Sequence, residues 1–320
     1  MYTRRARPPR IADQARSCVK VLAVLLGGWG LSMTGLRPAA AAAIEDPGLA
    51  GGSPASIIKH MHHAVAKGEP ALLSASALVW DETASADLLA RHADIANPIA
   101  SITKLMTAMV VLEAGQPLDE KLQITAEDAK LARWASSRLA VGTVLTRADL
   151  LQLALMSSEN RAAHALARNY AGGVDAFVAS MNAKAQELGM TNTHFVEPTG
   201  LSSSNVASAR DLSRLVIAAS KNLTIQADST ARRYVVSIRG KRVEFHTTDA
   251  LVVSPSWDIV VQKTGYISEA GRCLVLKALF QGRAIVIVLL DSKGLETRIA
   301  DAQRIRQWMK SHLVALTSQS

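Results

Sequence analysis

Cysteine is almost missing from this chain: its 320 residues hold only Cys18 and Cys273. Two thiols give no disulfide framework, so the fold must stand on its apolar core. Aromatic residues are also sparse, at 4%, yet hydrophobic residues reach 49%. That balance is an ordinary globular one, in a chain long enough for one large domain or two smaller ones. There is no His-Glu-x-x-His pattern. The close histidines His60, His62 and His63, on a short helix expected over Ile57 to Ala66, have no acidic partner at ligand spacing. They read as solvated helix surface, and neither a metal nor a cofactor is expected. No apolar run is long enough to favour a membrane span, because Val21 to Leu26 is broken by Gly27, Gly28 and Gly30. The basic excess is local too. Seven Arg and Lys side chains against Asp13 place six of the nine formal charges before residue 43. The remainder carries little net charge, and nucleic acid is not an expected partner.

What the N-terminus has is a targeting pattern. Residues 1–43 combine a basic start, the short apolar run and the small-residue tract Ala39 to Ala43, and they read as a secretory signal peptide. Its removal would also remove Cys18. An uncleaved anchor is the alternative, and at most a loose membrane association is expected. Residues 44–73 read as a linker and N-terminal segment, rich in glycine and small residues at first.

Beyond that point strand signals come first, helices occupy the middle, and strands return. Ala75 to Asp81 and Asp87 to Arg91 form an expected hairpin. Asp149 to Met156, Arg161 to Tyr170, Val174 to Leu188 and a run from Ser208 to Ser220 are helical. Arg233 to Ile238 and Arg242 to Thr247 flank a turn at Arg239-Gly240-Lys241. Ile259 to Thr264 is a strand, Leu274 to Phe280 and Ala284 to Leu290 flank Gln281-Gly282, and Glu296 to Leu316 closes the chain as a helix. The expected fold is α/β: an antiparallel sheet completed by both chain halves, flanked by helices, with a mostly helical subdomain over about residues 120–225 inside a domain spanning 74–316. A crevice between the two layers is the natural place for a site.

The chemistry concentrates in Ile99 to Gly115. Apolar residues recur at Ile102, Leu105, Met106, Met109, Val110 and Leu112, the spacing of a buried helix that stops near Gly115 and Pro117. Ser101 and Lys104 are three residues apart and share a face. An amine pressed into such a helix loses its preference for charge, so it can act as a base beside the serine nucleophile. Ser-x-x-Lys alone is common and recurs at Ser17–Lys20 and Ser56–Lys59. Ser-x-Asn recurs at several places as well. Order and context are what distinguish Ser101 heading a helix, Ser158-Glu159-Asn160 between two helices, and the single Lys263-Thr264-Gly265 at the end of a strand.

With those motifs in that order, the chain resembles the low-molecular-mass penicillin-binding serine DD-peptidases. It is most similar to their D-alanyl-D-alanine endopeptidase group, the penicillin-binding protein 7 type. The phrases that carry this are Pro98-Ile-Ala-Ser-Ile-Thr-Lys-Leu-Met-Thr, Leu155-Met-Ser-Ser-Glu-Asn-Arg-Ala-Ala, Phe195-Val-Glu-Pro-Thr-Gly-Leu and Lys263-Thr-Gly-Tyr-Ile-Ser-Glu-Ala-Gly-Arg-Cys-Leu. The resemblance implies the β-lactamase/DD-peptidase-like fold and a periplasmic enzyme. It implies Ser101 as the acylated nucleophile, Lys104 as its proton acceptor and Ser158 as a relay toward the leaving amine. Asn160 would hold Lys104 and the substrate amide. Lys263 would keep the site electropositive and, with Thr264 and Gly265, border the place of the substrate carboxylate. Backbone N–H groups of Ser101 and Tyr266 would form the oxyanion hole. The partners implied are peptidoglycan stem peptides and cross-bridges, with β-lactams as covalent inhibitors.

The short stretch after Gly265 favours the compact endopeptidase type over the larger carboxypeptidases, which continue into a β-domain. Glu197 lies where a class A β-lactamase carries its deacylating glutamate, but in Glu-Pro-Thr-Gly-Leu it reads as part of a turn. Arg298 reads as a plain surface arginine, with a carboxylate-binding role as the alternative. A β-lactamase and a catalytically silent wall-binding scaffold are the competing readings of the whole.

Overall fold

The computed structural model describes residues 68–131 and 136–317. The expected signal peptide, most of the 44–73 segment and the histidine-bearing helix lie outside them.

β1 (Ser74–Asp81) and β2 (Ala86–Arg91) pair as an antiparallel hairpin. β9 (Asp258–Ile267), β10 (Gly271–Phe280) and β11 (Arg283–Ser292) come from the other end of the chain. Pairing of β1 with β11 joins the two ends into one five-stranded antiparallel sheet, in the order β2-β1-β11-β10-β9. The β10–β11 turn needs two positive φ angles, 50° at Gln281 and 78° at Gly282, the requirement of a tight two-residue hairpin. Ile285 to Leu290 are apolar without a break because the sheet is covered on both faces. Val286, Val288 and Leu290 join the core shared with the inner helices. Ile285, Ile287 and Leu289 join a second core with Ala302, Ile305 and Met309 of α8 (Thr297–Thr317).

The inner layer is built around α1 (Thr103–Glu113), which follows a single 3-10 turn at Ala100–Ile102. Thr103 to Val111 are all buried, so α1 is enclosed on every side rather than amphipathic. Its neighbours are α3 (Arg147–Met156), α4 (Asn160–Arg168), α5 (Gly173–Glu187) and α6 (Ala209–Ala219). Thr146 and Asp149 form a reciprocal capping box at the start of α3, and the Ser208 hydroxyl accepts the Asp211 N–H at the start of α6. Such caps satisfy N–H groups that the helix itself leaves open.

Three features depart from the reading of the sequence. The 233–247 hairpin, β7 (Arg233–Ile238) with β8 (Lys241–His246), is a separate two-stranded ribbon and not part of the main sheet. A further helix, α7 (Leu223–Thr230), begins at Asn222, whose side chain accepts from the Thr224 and Ile225 N–H groups. Finally, Lys263-Thr264-Gly265 does not end its strand, because β9 continues to Ile267. Among the described residues no helix is long and apolar enough to cross a membrane.

Candidate active site

Ser101 lies in the 3-10 turn before α1, and two glycines hold that turn. A Cβ on Gly200 would fall 1.9 Å from the Ala100 carbonyl oxygen, and one on Gly265 would fall 2.9 Å from the Ile99 oxygen and 3.0 Å from the Ser101 nitrogen. Strand β9 and the turn around Gly200 therefore press on the backbone of Ser101 as only glycine allows. Ala100, between them, has φ of 48°, the left-handed region in which a side chain is strained.

Lys104 is fully buried on the first turn of α1. Its Nζ lies 2.8 Å from Ser101 Oγ, and it donates to Asn160 Oδ1 at 2.7 Å and to the Thr199 carbonyl at 2.6 Å. Burial lowers its pKa to about 7, against the opposing charges of Glu197 and Glu159. The three partners fix the direction of the lone pair. Asn160 Oδ1 and the carbonyl can only accept, so they take the two hydrogens of a neutral amine. The lone pair then faces the Ser101 hydroxyl, the arrangement of a base beside its nucleophile.

Ser158 sits between α3 and α4 with φ of 59°, a second strained position. Its Oγ receives a hydrogen bond from Lys263 Nζ at 3.0 Å, and Lys263 also donates to the Thr264 carbonyl at 2.8 Å. Asn160, two residues on, opens α4 and links this loop to Lys104. Thr264 Oγ1 lies 2.6 Å from Thr248 Oγ1. Gly265 faces the Ser101 backbone, and Tyr266, 57% exposed, is covered by the Arg272 guanidinium 4.7 Å from its ring centre. Six of the eight residues singled out from the sequence, Ser101, Lys104, Ser158, Asn160, Lys263 and Gly265, are thus brought together where α1, the α3–α4 loop and the outer strand β9 converge, while the Thr264 side chain packs on Thr248 and the Tyr266 ring on Arg272.

Two further charges border the site. Burial, then the neighbouring Lys104 and Arg298, push the Lys263 pKa well below that of a free lysine, against the opposing charge of Asp249. Arg298 is not a plain surface residue. It lies half-buried in the first turn of α8, its Nε is buried without a hydrogen-bond partner, and its charge acts on Lys263. A guanidinium stays charged under such burial, so Arg298 is a fixed cation near β9, as is Arg272 over Tyr266.

Glu197 does belong to a turn. Its carboxylate accepts from the Thr199, Gly200 and Ser202 N–H groups, the Thr199 hydroxyl and Asn205 Nδ2. It thereby fixes the Thr199 carbonyl that Lys104 uses. That carbonyl was missed in the sequence because a backbone atom leaves no residue signature there.

A half-buried serine beside a fully buried lysine, a second serine held by a second lysine, and glycine-packed backbone at the nucleophile define a serine acyl-transfer site on an α/β fold. Residues 63–294 match the family model described as D-alanyl-D-alanine carboxypeptidase, peptidase family S11, and the chain belongs to that family. It is 47% identical over 242 residues to a D-alanyl-D-alanine endopeptidase of Pseudomonas aeruginosa, covering 75% of this chain and 78% of that one. To the D-alanyl-D-alanine endopeptidase of Escherichia coli it is 43% identical over 250 residues, covering 78% and 81%. The crystal structure of the Streptomyces K15 DD-transpeptidase is similar at a TM-score of 0.71 and 28% identity, over 76% of this chain and 99% of that one.

Proposed function

We propose that this chain is an exported serine D-alanyl-D-alanine peptidase that cuts D-alanyl bonds of peptidoglycan peptides, cross-bridges included, through an acyl-enzyme on Ser101. The observation that carries this reading is the Lys104 amine, 2.8 Å from Ser101 Oγ, with its pKa brought to about 7. Lys104 takes the Ser101 proton as Oγ attacks the D-alanyl carbonyl. Backbone N–H groups of Ser101 and Tyr266 receive the developing oxyanion, where two fixed donors stabilise the transition state. Ser158, held by Lys263, relays that proton: it gives its hydroxyl proton to the leaving amine and takes up the one held on Lys104, so that the amine is free again as water hydrolyses the ester by the same route. Asn160 orients Lys104 and the substrate amide. Lys263, Thr264 and Gly265, with the fixed charge of Arg298, receive the terminal carboxylate. β-Lactams acylate the same serine.

Residues 74–316 form the peptidase domain in this reading, with a helical subdomain over about 120–225. Residues 1–43 direct the chain to the periplasm, and 44–73 link the two. Glu197 speaks against a β-lactamase, because its carboxylate oxygens are occupied by the turn and not available to position a deacylating water.

Digestion of purified sacculi with residues 44–320 tests the reading. Loss of dimeric fragments is expected, with release of D-alanine where pentapeptides are present. Release of neither, with stable binding to the sacculi, would leave a silent scaffold.

A further inference from the structure

Strand geometry sorts the residues around Ser101 by face. Side chains alternate along β9, so Lys263 and Gly265 point one way and Thr264 and Tyr266 the other. A Cβ on Gly265 would meet the Ser101 turn, which puts that turn on the first side. Arg272 of β10 stands directly opposite Tyr266 in the antiparallel register, and side chains opposed in this way share a face. Its guanidinium lies over the largely exposed Tyr266 ring. Arg298 is near enough that burial, and then the charge of Arg272, lower its pKa. Both arginines are half-buried, and neither forms an ion pair among the described residues. The Arg272 side chain makes no hydrogen bond there either. A glutamine or a leucine could cover the tyrosine ring without repelling Arg298. The charge of Arg272 therefore calls for an anion.

One carboxylate is already assigned to this part of the cleft, the terminal one that Thr264 and Arg298 receive. Free D-alanine, the leaving group of a simple carboxypeptidase step, carries that carboxylate and no other. A leaving residue that belongs to a second peptide is longer. Its amine stands beside one carboxylate, and its side chain can end in another. Two unpaired guanidinium groups match two carboxylates, because each offers a planar fork of N–H donors to a pair of oxygens.

We propose that Arg272, with Tyr266 as its platform, forms a subsite for a second carboxylate on the leaving residue, so that the cleft favours leaving residues with an acidic side chain over D-alanine. The proposal rests on the peptidase reading above and names the leaving group that the site prefers. Arg272 is a specificity residue in this account and takes no part in proton transfer.

Three synthetic peptides test it, identical up to the scissile D-alanyl bond. The leaving residue is D-alanine, D-α-aminoadipate, or D-α-aminoadipate with its side-chain carboxylate amidated. The wild-type protein is expected to prefer the free aminoadipate over its amide by about tenfold in kcat/KM, a step the size of one charged hydrogen bond. In Arg272→Gln that preference falls to within about twofold, because the fork that tells carboxylate from amide is gone. Equal rates on the acid and its amide in the wild type would overturn the subsite, as would a preference that survives Arg272→Gln intact. A fall by one common factor on all three peptides in Arg272→Gln would overturn it as well, and leave Arg272 as a support for Tyr266. Should Arg272→Gln not fold, Arg272→Met gives the same readout from an uncharged side chain of similar length. If the wild-type protein cleaves none of the peptides and takes no label from a penicillin, it is the peptidase reading that fails.

Discussion

The two serine–lysine pairs of the site look alike in outline and differ in what surrounds them. Both lysines are fully buried, and their amines lie 2.8 and 3.0 Å from a serine oxygen. Lys104 has two further acceptors and two carboxylates acting on it, and its pKa settles at about 7. Lys263 has one further acceptor and stands in the field of two cations, Lys104 and Arg298, with Asp249 as the opposing charge. Burial alone does not set the role of a lysine. The first is poised to exchange a proton near neutral pH. The second has its pKa lowered by burial and by two neighbouring cations and, in our reading, positions Ser158.

Breaking the first pair has the largest expected effect. Ser101→Ala removes the nucleophile, and turnover of a D-alanyl-D-alanine peptide is expected to fall by ~10³-fold or more with acylation by labelled penicillin abolished. Lys104→Gln removes the base but keeps the serine, and a loss of ~10²–10⁴-fold in the acylation rate is expected from stopped-flow or gel-based labelling. Breaking the second pair costs less. Ser158→Ala should slow turnover by roughly 10²-fold. An effect of Ser158→Ala as large as that of Ser101→Ala would reverse the ranking of the two pairs.

Smaller changes sharpen the comparison. Gly200→Ala sets a Cβ against the Ala100 carbonyl, at a φ of 83° that an L side chain rarely adopts. A loss of about 1–3 kcal/mol in chemical denaturation is expected, with slower acylation because the Ser101 turn must shift. Arg298→Gln removes a fixed cation near β9. About a tenfold rise in KM is expected for peptides with a free terminal carboxylate, and little change for the amidated peptide. An equal rise on both would assign Arg298 to packing alone.

The same contrast explains how much could be read from the sequence. Ser101 and Lys104 lie one helical turn apart, so helix geometry alone joins them, and burial of the helix gave the direction of the Lys104 pKa. Ser158 and Lys263 are 105 residues apart, and the packing of the inner helices, α7 against both α3 and β9, brings them together. Their meeting was legible through the resemblance and not through periodicity. The long strands and helices were readable because their apolar patterns are sustained. The two- and three-residue ladders, β3 (Asn97–Pro98) with β6 (Val206–Ala207) and β4 (Lys121–Gln123) with β5 (Val144–Thr146), are too short for any pattern. Helix α7 was within reach, because Asn222 is a recognisable N-cap, but no apolar stripe follows it. Arg298 misled because arginine is usually exposed, and its burial depends on α8 closing over residues remote in sequence.

The acylation rate of Ser101 by a labelled penicillin, measured from pH 5 to pH 9, tests the central claim most directly. The Lys104 pKa is lowered to about 7, so the amine is neutral and active above that value and protonated below it. The rate should therefore fall on acidification with a midpoint near pH 7, and the label should reside on Ser101 by mass spectrometry. A rate that is flat across that range, or a label carried by any other residue, would contradict a neutral Lys104 acting as the base.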